Sequence, residues 1–137
     1  MKRIPPGVAI AWFLFAVSWF LPVYEGGDTL LDGVLPGFQA FDVAVGDYEQ
    51  PLAQRIVPML SALTNLLMWV TGILFVALPK KQPPAWVPWA FAAATVLNAF
   101  WALAAGSVGE LRIGYWLWLG SFAVMAVALF LKPERKG

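Results

Sequence analysis

The sequence predicts an all-α membrane protein, an up-down bundle of four transmembrane helices. Composition is the first reason, because 61% of the 137 residues are hydrophobic and 12% are charged, whereas soluble domains average about 45–50% apolar and about 25% charged residues. The second reason is the segment from Val57 to Leu78, which contains no charged residue. At about 1.5 Å per residue, a helix over this segment crosses a hydrocarbon core of about 30 Å.

The first span is predicted at residues 6–21, after the basic start Met1-Lys2-Arg3. A cleavable signal peptide has the same order of basic and apolar regions, but it needs small residues at its cleavage site. Trp19-Phe20-Leu21 offers none, so an uncleaved helix is the favoured interpretation. At about 24 Å this helix is short, and aromatic side chains at headgroup level would anchor it.

The long polar connection, residues 22–56, carries six acidic residues against Arg55 alone. Within it, Phe38, Phe41 and Val45 recur at spacings of three and four, which is typical of one face of a helix. We expect a short amphipathic helix at the membrane interface. A short strand or an irregular loop is the alternative.

The remaining spans are predicted at residues 58–78, 86–105 and 111–131, so that residues 1–137 form a single integral membrane domain. Pro58 suits the first turn of a helix, where its missing N–H has no helical acceptor to lose. The last two spans flank a glycine turn and are expected to be antiparallel neighbours. Beside that turn, Glu110 and Arg112 are expected to form an outer ion pair. Alternatively, Arg112 meets an acid of the long loop.

Charge predicts the orientation. The two chain ends and the connection between the second and third spans hold seven basic residues: Lys2, Arg3, Lys80, Lys81, Lys132, Arg135 and Lys136. The opposite side holds Arg55 and Arg112 with seven acids. Because Lys and Arg near span ends stay in the cytoplasm, we expect a multi-pass protein of the plasma (inner) membrane with both termini cytoplasmic.

Asn65 and Asn98 form the predicted intramembrane polar pair. Each lies seven residues inside the outer end of its span, about 10 Å deep, and the two spans run in opposite directions. An unpaired amide is costly in hydrocarbon, so we expect a hydrogen bond between them that fixes helix pairing. A ligand pocket or a pore constriction at this level is the alternative.

Small residues recur on one face of three spans and predict close helix contacts. They are Gly7, Ala11 and Ser18; Ala94, Asn98, Ala102 and Ala105; and Gly114, Ser121 and Ala128. Several large residues are expected to face outward, namely Phe91, Phe100, Trp101, Trp116, Trp118 and Phe130.

The middle of each span lacks charge, and the chain lacks histidine and cysteine. This counts against an intramembrane proton relay, thiolate metal binding and dithiol chemistry. We therefore expect no enzyme, cofactor, metal or nucleic-acid partner. The favoured function is an accessory or structural subunit that packs on a larger membrane complex. The alternatives are a homo-oligomeric transporter, channel or lipid-handling protein with a polar level at Asn65 and Asn98, and then an enzyme that uses outer acids such as Asp28, Asp32 and Asp42.

Two segments carry a resemblance. Leu21-Pro22 ends the first span, and Pro36-Gly37-Phe38-Gln39-Ala40-Phe41 follows in the outer loop. In both, the chain resembles small uncharacterised bacterial proteins with four transmembrane helices, and this resemblance implies no activity. The layout is also similar to the tetraspan proteins of animal junctions, but the loop lacks their tryptophan and cysteine pair, so their function is not carried over.

Overall fold

The computed structural model describes residues 4–26, 33–38, 41, 51–78, 83–104 and 108–131. Four main helices make up most of it: α1 (Pro6–Ser18), α2 (Leu52–Ala77), α3 (Trp86–Ala104) and α4 (Ile113–Phe130). Two short strands, β1 (Pro22–Gly26) and β2 (Gly33–Pro36), pair as an antiparallel hairpin, and a 3-10 turn at Val108–Glu110 precedes α4.

The four helices pack into a bundle around α4. This helix makes its most extensive contacts with α1 and also packs on α3, while α2 packs on α3. Side chains of α1 and α2 close the ring, since Trp12 lies against Gly72 and Trp69. We call the end near β1 and β2 the hairpin end, and the opposite end, near Gly7 and Leu131, the terminal end.

The contact between α1 and α4 is lined by small residues. A methyl group added to Gly7 would lie 2.7 Å from the Cβ of Ala128, and one added to Gly114 would lie 2.6 Å from the carbonyl oxygen of Pro22. Ala11 is fully buried between these two ends. Small side chains thus allow the two helices to approach closely along their length.

The start of α2 differs from the prediction. The helix begins at Leu52, after Pro51, and Pro58 lies inside it rather than in its first turn. Proline has no N–H to donate within a helix, so the carbonyl of Gln54, four residues earlier, lacks its usual helical partner. The placement of Pro58 in the first turn was wrong, because the helix already begins after Pro51. Pro58 lies in its second turn.

The hairpin was not predicted. Tyr24 pairs with Leu35 and Gly26 with Gly33, and the backbone N–H of Arg112 donates to the carbonyl of Val23 at 2.9 Å. The hairpin is thereby joined to the start of α4. Residues 37, 38 and 41 are helical, at the beginning of the predicted amphipathic helix.

In the part of the chain that the structure describes, two helices are long and apolar enough to cross a membrane, over Ile56–Ala77 and Ile113–Phe130. Only 28% of an 18-residue apolar stretch in the first helix, and 39% of such a stretch in the second, is buried within the chain. The core helix of a soluble protein, by contrast, is mostly buried. The apolar helices Pro6–Ser18 and Trp86–Phe100 are shorter. All four helices carry large exposed apolar side chains, among them Phe13, Ile73, Val96 and Val127.

Candidate functional site

A cluster of neutral polar side chains lies at the hairpin end, between α2, α3 and α4. At its centre is Asn98, which is fully buried. The Ser61 hydroxyl donates to Asn98 Oδ1 at 2.8 Å, and Asn98 Nδ2 donates to Thr64 Oγ1 at 3.2 Å. Ser61 and Thr64 lie one turn apart on α2, so one amide of α3 binds two successive hydroxyls of its neighbour.

Asn65 belongs to the same level but has different partners. Its Nδ2 donates to the carbonyl of Ala62 at 2.8 Å, and its Oδ1 accepts the indole N–H of Trp118 at 2.7 Å. Both asparagines belong to one cluster, but within the described chain each bonds to other groups and not to its counterpart. The direct bond was the wrong detail, because Ser61 rather than Asn65 is rotated toward Asn98.

Helix α4 completes the cluster through aromatic residues. The Tyr115 hydroxyl donates to the backbone carbonyl of Asn98. Asn98 thus contacts α4 through its main chain and α2 through its side chain. The Ser121 hydroxyl donates to the carbonyl of Trp118 at 2.6 Å, within α4. Because a buried polar group is costly when unpaired, these bonds let the cluster exist in an apolar interior and specify how the helices are rotated.

A small cavity of about 80 Å³ lies beside the cluster. Its walls come from all parts of the hairpin end: the end of α1, strand β1, the segment around residues 37 and 41, α2 and α4. Asn65 and Ser61 line one side, and four aromatic side chains line the rest: Trp19, Phe41, Tyr115 and Trp118.

The chemistry available here is hydrogen bonding and aromatic contact. The cluster consists of hydroxyl, amide, phenol and indole groups, and the described residues contain no group of three or more His, Cys, Asp or Glu side chains placed to hold a metal ion. The arrangement suits helix association or the binding of a small organic group.

The predicted interfacial helix is described in part. Phe38 is exposed, whereas Phe41 is half-buried and packs on Trp19 with ring centroids 5.7 Å apart. Val45 lies outside the described residues. This helical segment therefore packs against the end of α1 through the Phe41 ring, and not through that of Phe38.

The predicted outer ion pair is also described in part. Glu110 ends the 3-10 turn, and its side chain lies outside the described set. Arg112 is exposed and precedes α4 as its N-cap residue. Its backbone N–H connects it to the long loop, through the carbonyl of Val23.

Sequence reasoning missed Ser61 and Trp118 as members of the cluster. Ser61 lies one turn before Asn65, and that spacing on one helix face is the signal that would have found it. Trp118 was expected to face outward, but it is half-buried and bonded to Asn65. Phe91 was likewise expected outside and is fully buried, while Phe100, Trp116 and Phe130 are exposed as expected.

Comparisons with protein-family models, with curated proteins and with solved structures found no match. Any statement about function therefore rests on the residues and geometry described above.

Proposed function

We propose that this chain is a multi-pass integral protein of the plasma (inner) membrane, with four spans and cytoplasmic termini, and that it acts without catalysis as an accessory or structural subunit of a larger membrane assembly. The carrying observation is the outward surface of the bundle. Most of the apolar stretch of α2 is not buried within the chain. Its exposed side chains include large aliphatic ones such as Leu66 and Ile73.

An apolar surface of this extent favours lipid or protein neighbours over water. Soluble monomers rarely expose contiguous apolar patches beyond a few hundred Å², yet each of the four helices here presents large apolar side chains outward. The distribution of charge supports the same interpretation, since the segments Ile56–Ala77 and Ile113–Phe130 contain no charged residue.

The interior supports a structural role more than a transport path. The amides of Asn65 and Asn98 are both bonded within the bundle, and a path for a polar solute needs groups that can exchange their partners with that solute. The cavity near Asn65 is the observation that favours the second candidate, a homo-oligomeric transporter, channel or lipid-handling protein.

Single cysteines test the topology directly, because the natural chain has none. We expect a membrane-impermeant maleimide to label Thr29→Cys in intact cells and to label Lys81→Cys only after the membrane is opened. Labelling of Lys81→Cys from outside would reverse the orientation. Recovery of the chain in the soluble fraction would contradict membrane insertion altogether.

A photoreactive amino acid placed on each outward face tests the subunit role. Suitable positions are Phe13 on α1, Ile73 on α2, Val96 on α3 and Val127 on α4, all exposed. We expect adducts of one size, to another membrane protein, from one face or two adjacent faces, and only lipid adducts from the others. Adducts to a second copy of the chain would favour the homo-oligomer, and lipid adducts from all four faces would contradict the subunit role.

A further inference from the structure

The cavity at the hairpin end is lined in part by four aromatic side chains. Two pairs of aromatic rings contribute to its wall, Trp19 with Phe41 and Tyr115 with Trp118. The centroids are 5.7 Å apart in each pair, and the rings are tilted by 36° and 52°. An aromatic ring carries negative potential on its faces, so a positively charged occupant is favoured wherever it lies against the face of one of these four rings.

The polar atoms of the lining add to this preference, because most of their hydrogens are already used. Ser18 donates to the carbonyl of Phe15, Ser61 donates to Asn98, and the indole N–H of Trp118 is bonded to Asn65. A serine hydroxyl keeps acceptor lone pairs after it has donated its hydrogen. Asn65 keeps one N–H and one lone pair, and Trp19 has an indole N–H, so the described lining still offers more acceptors than donors.

The loop that contributes part of the lining is acidic in sequence. Val23, Gly37 and Phe41 belong to this loop and line the cavity, and the loop carries six acidic residues against Arg55. Arg112, whose N–H bonds to Val23, adds one positive charge. A loop with net negative charge raises the local concentration of cations and lowers that of anions.

These three observations disfavour two other classes of occupant. An anion would find few hydrogen-bond donors, and a bare metal ion would find no carboxylate among the lining residues that the structure describes, which are aromatic, aliphatic, glycine, serine, proline and asparagine residues. A cation that is partly apolar satisfies both kinds of wall, since its N–H groups meet oxygen lone pairs and its carbon atoms meet ring faces.

We propose that the cavity binds a small organic ammonium group. Its volume of about 80 Å³ exceeds the roughly 10–15 Å³ that one water molecule requires, so an ammonium with one or two attached carbon atoms fits. The same chemistry occurs in the ethanolamine headgroup of a phospholipid and in a free alkylamine. The site depends on the bundle and is independent of the subunit role.

The test is calorimetric titration of the full chain in nanodiscs of phosphatidylglycerol, which lacks an ammonium group. The probes are ethylammonium chloride, propan-1-ol as the neutral analogue of similar shape, and sodium ethanesulfonate as the anion, at constant ionic strength. We expect saturable binding of ethylammonium alone. Equal binding of the alcohol, binding of the anion, or no saturable binding of ethylammonium would overturn the proposal.

Two variants localise the binding. Ala62→Leu fills the cavity from α2, and we expect affinity for ethylammonium to fall about tenfold or more, because a desolvated cation–π site is removed. Trp116→Leu removes an outward tryptophan of α4 and should bind like the natural chain. Circular dichroism confirms that each variant keeps its helices; unchanged binding by a folded Ala62→Leu would overturn the proposal.

A second nanodisc composition separates the two sources of the ammonium group. When phosphatidylethanolamine replaces phosphatidylglycerol, a headgroup site becomes occupied, and ethylammonium binding should weaken by competition. Undiminished binding in both bilayers assigns the site to a free amine. Native mass spectrometry should then show retained phosphatidylethanolamine on the natural chain in the first case and not in the second.

Discussion

Helix α1 contacts its two neighbours in different ways. At α4, glycine makes room for a methyl group or for the main chain: a methyl group added at Gly7 of α1 would meet the Cβ of Ala128, and one added at Gly114 of α4 would meet the carbonyl oxygens of Leu21 and Pro22, in the segment that follows α1. Against α2, glycine makes room for a ring, because a methyl group at Gly72 would lie 2.2 Å from the indole of Trp12.

The difference concerns what can give way. A carbonyl of the main chain moves only with its strand or helix, whereas an indole can rotate or be replaced. The contact of α4 with the segment that follows α1 is therefore fixed by backbone proximity, and the α1–α2 contact by the shape of one side chain. The same glycine-to-alanine change should have different costs at the two contacts, and only one of them should be repairable by a second substitution.

The largest effect is expected for Gly114→Ala. The added methyl group would lie 2.6 and 2.8 Å from the carbonyl oxygens of Pro22 and Leu21, so the hairpin or α4 must move. Overpacking costs about 1–3 kcal/mol, and we expect the upper end, about 3 kcal/mol, from thermal unfolding in detergent. Gly120→Ala, on the same helix with open space at its Cβ, is the control and should not lower the unfolding temperature. Equal temperatures for both variants would contradict a backbone-limited contact.

Gly72→Ala should cost somewhat less, about 2 kcal/mol, because the obstacle is a side chain. Trp12→Phe should cost little by itself, since the buried indole N–H has no hydrogen-bond partner in the described chain, and it should relieve the clash. A double-mutant cycle in the same unfolding assay measures the coupling. Additive effects of the two substitutions would show that Trp12 does not determine the spacing of α1 and α2.

The smallest of the three effects is expected in the polar cluster, away from α1. Asn98→Leu removes an amide that binds Ser61 and Thr64, and we expect a loss of about 1 kcal/mol in the unfolding assay. Thr95→Val on the same helix is the matched control, because its hydroxyl bonds only to the carbonyl of Phe91 within α3. A loss for Thr95→Val as large as that for Asn98→Leu would mean that α2 and α3 are not held together by this amide.

The helices of this fold could be read from the sequence because long apolar runs and small-residue spacings are local signals. α3 was predicted to begin at residue 86, and Trp86 is its first residue. The small-residue face of Ala94, Asn98 and Ala102 is buried, and Gly7 meets Ala128 across two such faces. Membrane insertion and orientation stay predictions, since no membrane is part of the structure.

The features that were missed depend on contacts between distant residues. The hairpin pairs two short segments across a turn, and its backbone is bonded to Arg112, far along the chain. The partners of Asn65 and Asn98 depend on how each helix is rotated about its axis, which depth along a span does not determine. The indole N–H of Trp118 bonds to the side-chain oxygen of Asn65. This contact, which turns Trp118 inward, depends on Asn65 and cannot be inferred from Trp118 alone.

The unequal lengths of α1 and α2 have a consequence for the bilayer in which we propose that the protein lies. α1 has 13 residues and α2 has 26, which correspond to about 20 Å and about 39 Å along their axes. In a bilayer, the leaflets beside α1 must thin or their headgroups must dip, while those beside α2 need not, since hydrophobic mismatch is relieved by deforming the membrane. The protein would thus dent the bilayer on one side only, and thinner membranes would accommodate that side with less strain.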